Sequence, residues 1–224
     1  YNMPKEKITV IRGSFDLKKF HPSSNKAEIR KKLDISQDAV ILFTVRNLVK
    51  RMGLENLIMA FNELEKQIAD IQLIIGGRGP LKDELIELTR SHGIERKIHF
   101  TGFIPKEQLL SYYQMADIFV LPTKELEGFG LVTLEAMASG LPVVGTPVGG
   151  TKEILGRFDS NFLFNGTDSD SMVKLIAEKY HLLRNHPQRW EQISHRCRKF
   201  VEQNYSWEKN IDALEEAFAK TIQN

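Results

Sequence analysis

Apolar positions along the chain follow two periods. Six short runs are rich in β-branched and aromatic residues: "AVILFTV" (39–45), "IQLIIGG" (71–77), "KIHFTGF" (97–103), "DIFVLP" (117–122), "LPVVGTP" (141–147) and "NFLFN" (161–165). Several are apolar throughout, the pattern of strands covered on both faces. Between them apolar residues recur at helical spacing: Leu54, Leu57, Ile58, Phe61, Leu64 and Ile68, then Leu81, Leu85 and Leu88, then Leu109, Tyr112, Tyr113 and Met115. Alternation of the two patterns predicts repeated βα units and a parallel sheet. Residues 168–221 read as mostly helical, interrupted at "NHPQ" and "NYSW", with Ser206 placed to cap the last helix.

The first 38 residues do not fit that pattern. "KITVIRGSFDLKKFHP" reads as a strand, a turn and a polar segment, and "NKAEIRKKLD" as a helix ahead of the first core strand, as a connector entering from another domain would. Nothing repeats at a fixed period and no low-complexity linker divides the chain. The expectation is an α/β fold, a Rossmann-like, doubly wound parallel sheet of about six strands with a C-terminal helical tail. Residues 1–38 form its entry segment and 39–224 the domain.

Composition narrows the function. With 224 residues, 42% hydrophobic and 27% charged, the chain is ordinary globular material. Lys and Arg outnumber Asp and Glu by 31 to 29, and a net charge of +2 gives no case for a nucleic-acid surface. Any bound anion must be held locally. The single Cys197 excludes an internal disulfide and fits a reducing compartment. His195 lies two residues from it, off its helix face, and the histidines at 21, 92, 99, 181 and 186 fall into no HExxH spacing, so no metal site is expected. No apolar run reaches about 18 residues and no signal-peptide pattern opens the chain, which reads as soluble and cytoplasmic. It opens at Tyr1 with Met3 behind it, as a piece of something longer would.

In open parallel sheets ligands bind beyond the carboxyl ends of the strands, so the loops there carry the chemistry. "GGRGPLKDE" (76–84) starts like a dinucleotide fingerprint, yet Lys82 stands where the third glycine belongs. "GTPVGGTK" (145–152) ends in Thr151 then Lys152, the reverse of a P-loop. Both serve more simply as tight strand-to-helix turns. In "TVRNLVKRMGLENLI" (44–58), Arg46, Lys50 and Arg51 follow a strand and precede a helix, and guanidinium groups there suit a diphosphate. "EGFGLVTLEAMASGLPVV" (127–144) adds a second anion site. A helix starting near Gly130 leaves the amides of Phe129, Gly130 and Leu131 free at the positive end of its dipole. Glu127 and Glu135 would repel phosphate but accept hydrogen bonds from hydroxyls. Amides and arginines for phosphate, with carboxylates for a diol, describe a nucleoside diphosphate sugar.

These stretches resemble a known family. "EGFGLVTLE" matches the E-x7-E motif of the retaining family 4, or group 1, glycosyltransferases, which have the two-domain GT-B fold. "TVRNLVKRMGLENLI" is similar to the family's basic loop, "IIGGRGPLKDEL" to its glycine turn, and "HFTGFIPKEQLLSYYQMADIFVLPT" to its base-binding region, all in order. The resemblance implies that Arg46 and Arg51 flank the donor diphosphate, although many relatives have lysine where Arg51 stands. It implies that Glu135 holds the ribose hydroxyls and that Glu127 approaches the transferred sugar. The amides of Phe129, Gly130 and Leu131 would meet sugar or phosphate oxygens, and backbone near Phe103 and Ile104 the base, with uracil, guanine and adenine all open. It implies catalysis without metal or cofactor, the substrate being the nucleotide sugar, and retention by front-face departure of the diphosphate.

Both glutamates are expected among positive groups that favour ionisation, unlike a glycosidase pair. Tyr112 and Tyr113 read as packing groups. The segment 1–38 is too short to be the family's acceptor-binding domain, so the chain resembles the donor-binding C-terminal half alone, with a glycan or lipid-linked acceptor bound elsewhere, at the inner face of a membrane in the lipid case. A noncatalytic nucleotide-sugar-binding module is the alternative, and an epimerase a more distant one.

Overall fold

Among the described residues five strands form one sheet: β1 (Val40–Val45), β2 (Ile71–Gly76), β3 (Ile98–Gly102), β4 (Ile118–Leu121) and β5 (Val143–Gly145). The computed structural model describes Pro4 and residues 8–11, 13, 14 and 16–222, leaving aside the side chains of 221 and 222. Strand order is β3-β2-β1-β4-β5 and every pairing is parallel, with Val40 beside Ile71, Phe43 beside Phe119 and Val120 beside Val144. The first five residues of β1 are buried, so the uninterrupted apolar run reports helices on both faces. The chain moves outward from β1 to β3 and returns to start again at β4. This puts the switch point, where doubly wound folds open a crevice, between the carboxyl ends of β1 and β4.

The crossover helices are α2 (Leu54–Glu65), α3 (Lys82–Ser91), α4 (Lys106–Met115) and α5 (Leu131–Ala138), and α6 (Gly149–Phe158) follows the last strand. The tail is α7 (Ser169–Asn185), α8 (Pro187–Tyr205) and α9 (Trp207–Ile222). Breaks fall at the two stretches foreseen, and the Ser206 hydroxyl accepts from the Lys209 amide at 3.4 Å. Packing joins α2 to α7 and α5 to α8, so the tail wraps the domain.

The predicted sixth strand is corrected. In "NFLFN" the Asp159 carboxylate accepts from the Asn161 amide at 3.1 Å and starts a 3-10 turn over Ser160–Phe162. Only a single parallel bridge, Gly145 to Leu163, joins the run to the sheet. The local cap prevails over the short apolar pattern.

The entry segment has no strand among its described residues; Lys7, Arg12 and Phe15 lie outside them. Downstream it is bound to the domain. Phe20 is buried, and α1 (Lys26–Lys32) begins at Asn25, whose side chain accepts from the Glu28 amide at 3.2 Å. Buried Arg30 bonds the Met115 and Ala39 carbonyls at 2.9 and 3.1 Å and the Asp117 carboxylate at 2.6 Å. Asp117 also takes Lys26 at 2.9 Å and the Ile41 amide at 2.7 Å. Burial raises the Asp117 carboxyl, but the two cations and the amide together hold it below the usual carboxylate range. This network pins the end of the sheet opposite the crevice.

Candidate functional site

Arg46 follows β1 directly and Thr123 and Glu127 follow β4, so the β1–β4 pairing brings together residues about 80 positions apart. The Arg46 Nη2 donates to the Thr123 hydroxyl at 2.5 Å and to Glu127 Oε2, and the Thr123 hydroxyl donates to the same carboxylate oxygen at 3.0 Å. Both charges are largely withdrawn from water, with side-chain exposures of 6% for Arg46 and 10% for Glu127. Thr123 is held in turn, its carbonyl accepting from the Thr146 hydroxyl at 2.5 Å. The Arg46 Nε is buried without a partner among the described residues, so the guanidinium keeps donor capacity that these contacts do not use.

Arg51 acts on the same loop from its other side. Its guanidinium donates to the Leu126 carbonyl at 2.8 Å, and its own carbonyl accepts from the Lys124 amide at 2.8 Å. Leu126, exposed and at φ +55°, is held in the left-handed region that a branched side chain disfavours. Arg51 therefore braces the turn that delivers Glu127.

Helix α5 begins where expected. Gly130, at φ +81°, is the residue before its first turn, and a Cβ there would lie 3.1 Å from the Ile154 Cδ1. The amides of Phe129, Gly130 and Leu131 donate to no acceptor among the described residues, which leaves the positive end of α5 open. Phe129 is half-buried with its ring edge-on to Tyr205, and Leu131 is half-exposed.

Glu135 lies one turn further along α5, where Oε2 accepts from the Tyr113 hydroxyl of α4 at 2.8 Å. Here one expectation is overturned. The carboxyl is raised above its usual value, chiefly because it is buried, against the lowering pull of the Tyr113 hydrogen bond and the Lys106 charge. Glu127 sits against a guanidinium as foreseen, but Glu135 is bonded to a neutral hydroxyl, and the Lys106 charge does not offset its burial.

Phe103 and Ile104 follow β3. Ile104 is buried, while Phe103 is 63% exposed with the Arg78 guanidinium 5.0 Å above its ring. They line a cleft of about 380 Å³ with Arg46, Gly77, Arg78 and Val132, at the carboxyl ends of the first three strands. Gly77 is required there: at φ +125° a side chain would meet the Arg46 carbonyl 1.8 Å away. A larger cleft, about 470 Å³, lies between α7 and α8, away from the strand ends. Four of its charged groups pair within the protein, Lys179 with Glu178 at 2.7 Å and Arg196 with Asp159 at 3.6 Å.

Sequence reasoning missed Thr123 and Arg78 and gave Tyr113 only a packing role. Thr123 carried a signal, being two residues beyond a strand at the switch point; Arg78 lay in a turn valued for its glycines. Among the described residues no group of three or more His, Cys, Asp or Glu stands ready for a metal, and no helix is long and apolar enough to cross a membrane.

Residues 25–197 match the family described as glycosyl transferases group 1. D-inositol 3-phosphate glycosyltransferase of Corynebacterium urealyticum is 31% identical over 227 residues, spanning 97% of this chain and 52% of that protein. Among solved structures, the C-terminal domain of LpcC, a group 1 glycosyl transferase family protein from Francisella tularensis, superposes with a TM-score of 0.74 at 25% identity. It covers 86% of this chain and 99% of that one. HepE from Anabaena, in complex with UDP and glucose, superposes at 0.79 and 21% identity, over 96% of this chain and 57% of that one. The chain spans about half the length of the curated relatives it matches.

Proposed function

Because the chain belongs to the group 1 glycosyl transferases and has the Rossmann-like half of a GT-B fold, we propose that it is the donor-binding half of a retaining glycosyltransferase. The donor is a nucleoside diphosphate sugar, and a hexosyl group passes to a glycan or lipid-linked acceptor. The observation that carries this reading is the meeting, at the switch point, of Arg46, Glu127 and the three unpaired amides that open α5. Phosphate oxygens are the acceptors to which such amides and guanidiniums donate best.

Each residue then has a part. Arg46 and Arg51 take the charge that grows on the departing diphosphate, and one preorganised donor of this kind is worth about 3–4 kcal/mol of barrier. Arg51 does so while fixing the Leu126 turn. Glu127 meets the transferred sugar and orients Arg46. Glu135 accepts from the ribose diol, and the amides of Phe129, Gly130 and Leu131 bind sugar or phosphate oxygens. Phe103, Ile104 and Arg78 border the base. In the transfer, the bond between the anomeric carbon and the diphosphate oxygen breaks as an acceptor hydroxyl forms the new bond on the same face. The hydroxyl proton leaves with the diphosphate. No metal is required, since arginines and amides meet the charge.

The raised Glu135 carboxyl removes ionisation as the ground for setting aside a glycosidase pair. Other ground remains in that Glu127 is bound by Arg46 and Thr123 rather than free to attack or protonate. The acceptor would be held by a further domain, in the cytoplasm or at the inner face of a membrane. Helix α9, with Trp207, Ile211, Leu214 and Phe218 exposed along one face, is suited to pack against that domain. Calorimetric titration of this chain with UDP, GDP, ADP and their sugar conjugates, beside Glu135→Ala, tests the reading. Saturable binding of one nucleotide, lost in the variant, is expected; a folded chain that binds none of them refutes a donor site formed by this half.

A further inference from the structure

We propose that Tyr113 is a positioning residue for the donor: its hydroxyl holds Oε2 of Glu135 so that Oε1 is presented to the ribose diol. The inference rests on the reading of Glu135 as the ribose-binding carboxylate.

Tyr113 is 1% exposed. Its ring meets Phe20 of the entry segment, Phe43 of β1 and Phe119 of β4 nearly edge-on, at centroid distances of 5.8, 5.6 and 5.4 Å. Three aromatic neighbours on three elements fix the ring and so fix the direction of its hydroxyl. That hydroxyl leaves the apolar cluster and reaches across to α5, where it donates to Glu135 Oε2 at 2.8 Å. Oε1 accepts from no group among the described residues. A glutamate side chain turns about three bonds, and ordering it on arrival of the ligand would cost conformational entropy. Tyr113 removes that cost beforehand.

A purely structural tyrosine would use Glu135 only to satisfy a buried hydroxyl. Two properties separate the cases. The first is coupling: if the effect of Tyr113 runs through Glu135, removing the hydroxyl matters only while the carboxylate is present. The second is charge state. An acceptor carboxylate must be ionised, and the tyrosine hydrogen bond favours that form against the burial that disfavours it. The groups facing this carboxyl are Tyr113 and Lys106 of α4; Arg46 bears on Tyr113. Neither α8 nor β5, both packed on α5, sets a charge that bears on it among the described residues. Without the hydroxyl, burial is less opposed and the carboxyl protonates at higher pH.

The experiment is calorimetric titration with UDP, GDP and ADP from pH 5 to 8, using the unaltered chain, Tyr113→Phe, Glu135→Gln and the double variant. Tyr113→Phe keeps the ring, and thermal unfolding verifies that it folds. It is expected to weaken binding about five- to tenfold and to move the acid limb of affinity to higher pH. Glu135→Gln should weaken binding and lose that limb, and the phenylalanine should then add nothing. If Glu135→Gln binds like the unaltered chain, the donor reading itself fails. If Glu135→Gln weakens binding but Tyr113→Phe does not, or if Tyr113→Phe weakens it equally in the glutamine background, the positioning role is overturned. A Tyr113→Phe chain that no longer folds overturns it too, because the hydroxyl would then serve the core.

Discussion

Arg46 and Glu127 are the most exacting place to test the site, because stability and function pull apart there. Arg46→Met keeps the length of the aliphatic stem and removes the guanidinium. Glu127 is then left 10% exposed without its counter-charge, and breaking such a buried pair from one side costs about 3–5 kcal/mol. One term opposes this. The orphaned Arg46 Nε disappears with the side chain, which returns about 1 kcal/mol. The expected net loss is about 2–4 kcal/mol, or a midpoint lower by about 4–16 °C for a domain of this size. Adding Glu127→Gln removes the stranded charge, so the double variant should recover most of the loss, with a coupling of at least about 2 kcal/mol across the cycle. Urea and thermal unfolding followed by circular dichroism measure all four corners. A loss below about 1 kcal/mol for Arg46→Met, with coupling near zero, would show that water screens the pair and would refute the reasoning. The stability-restored double variant should nevertheless fail to bind nucleotide sugars; if it binds them normally, neither residue serves the donor.

Four further outcomes are expected. Asp117 is held below its ordinary value of 3.8, so its contribution to stability is present above that pH and is lost as pH falls through the depressed folded value; Asp117→Asn should lower the melting midpoint at pH 7 and much less near pH 2, and an equal loss at both would contradict the ion network around Arg30. Gly130→Ala should cost about 1–2 kcal/mol in urea unfolding, because its φ of +81° strains any L side chain, and weaken nucleotide binding with it. Arg51→Ala should lower turnover roughly a hundredfold in the enzyme carrying both halves, and unchanged steady-state kinetics would remove Arg51 from the mechanism. Cys197 is fully buried with its thiol pushed far up by burial, so a thiol reagent such as Ellman's should react with it only as fast as the domain unfolds; rapid labelling at neutral pH would place α8 wrongly.

The sheet was legible in the chain because strands covered on both faces leave continuous apolar runs. "AVILFTV" and "IQLIIGG" each differ from the observed strand by a single residue. "NFLFN" was misread for the same cause. Phe162 and Phe164 are both core residues, but three apolar positions between two asparagines do not say whether the backbone pairs with a sheet, and Asp159 turns it locally. The loops that carry the site could be read from their glycines and charges, since a strand followed by a glycine turn and a helix localises the chemistry. What those charges touch could not. Arg46 meets Glu127 only because β1 and β4 are neighbours, and that strand order is written in no local pattern. Tyr113 showed apolar spacing and was read as packing, which its ring confirms; the reach of its hydroxyl to α5 depends on how two helices pack.

The two glutamates, alike in the motif, are made unlike by what holds them, and the difference sets a limit on affinity. Glu127 is neutralised by Arg46, so that pair brings the incoming donor no net charge. Arg51 contributes one positive charge, and the amino end of α5 about half of another. A nucleoside diphosphate sugar brings about two negative charges to a site whose two phosphate-facing elements offer about one and a half. Exposed Lys50, in the same loop as Arg51, can supply the rest only through solvent. Binding to this half should therefore weaken steeply with salt, by more than one elementary screened contact would give. A full-strength donor site needs either Glu127 displaced from Arg46 by the sugar hydroxyls or further positive charge, such as that of Arg78 in the adjoining cleft. Affinity that is indifferent to salt would show that charge does not hold the donor and would refute this accounting.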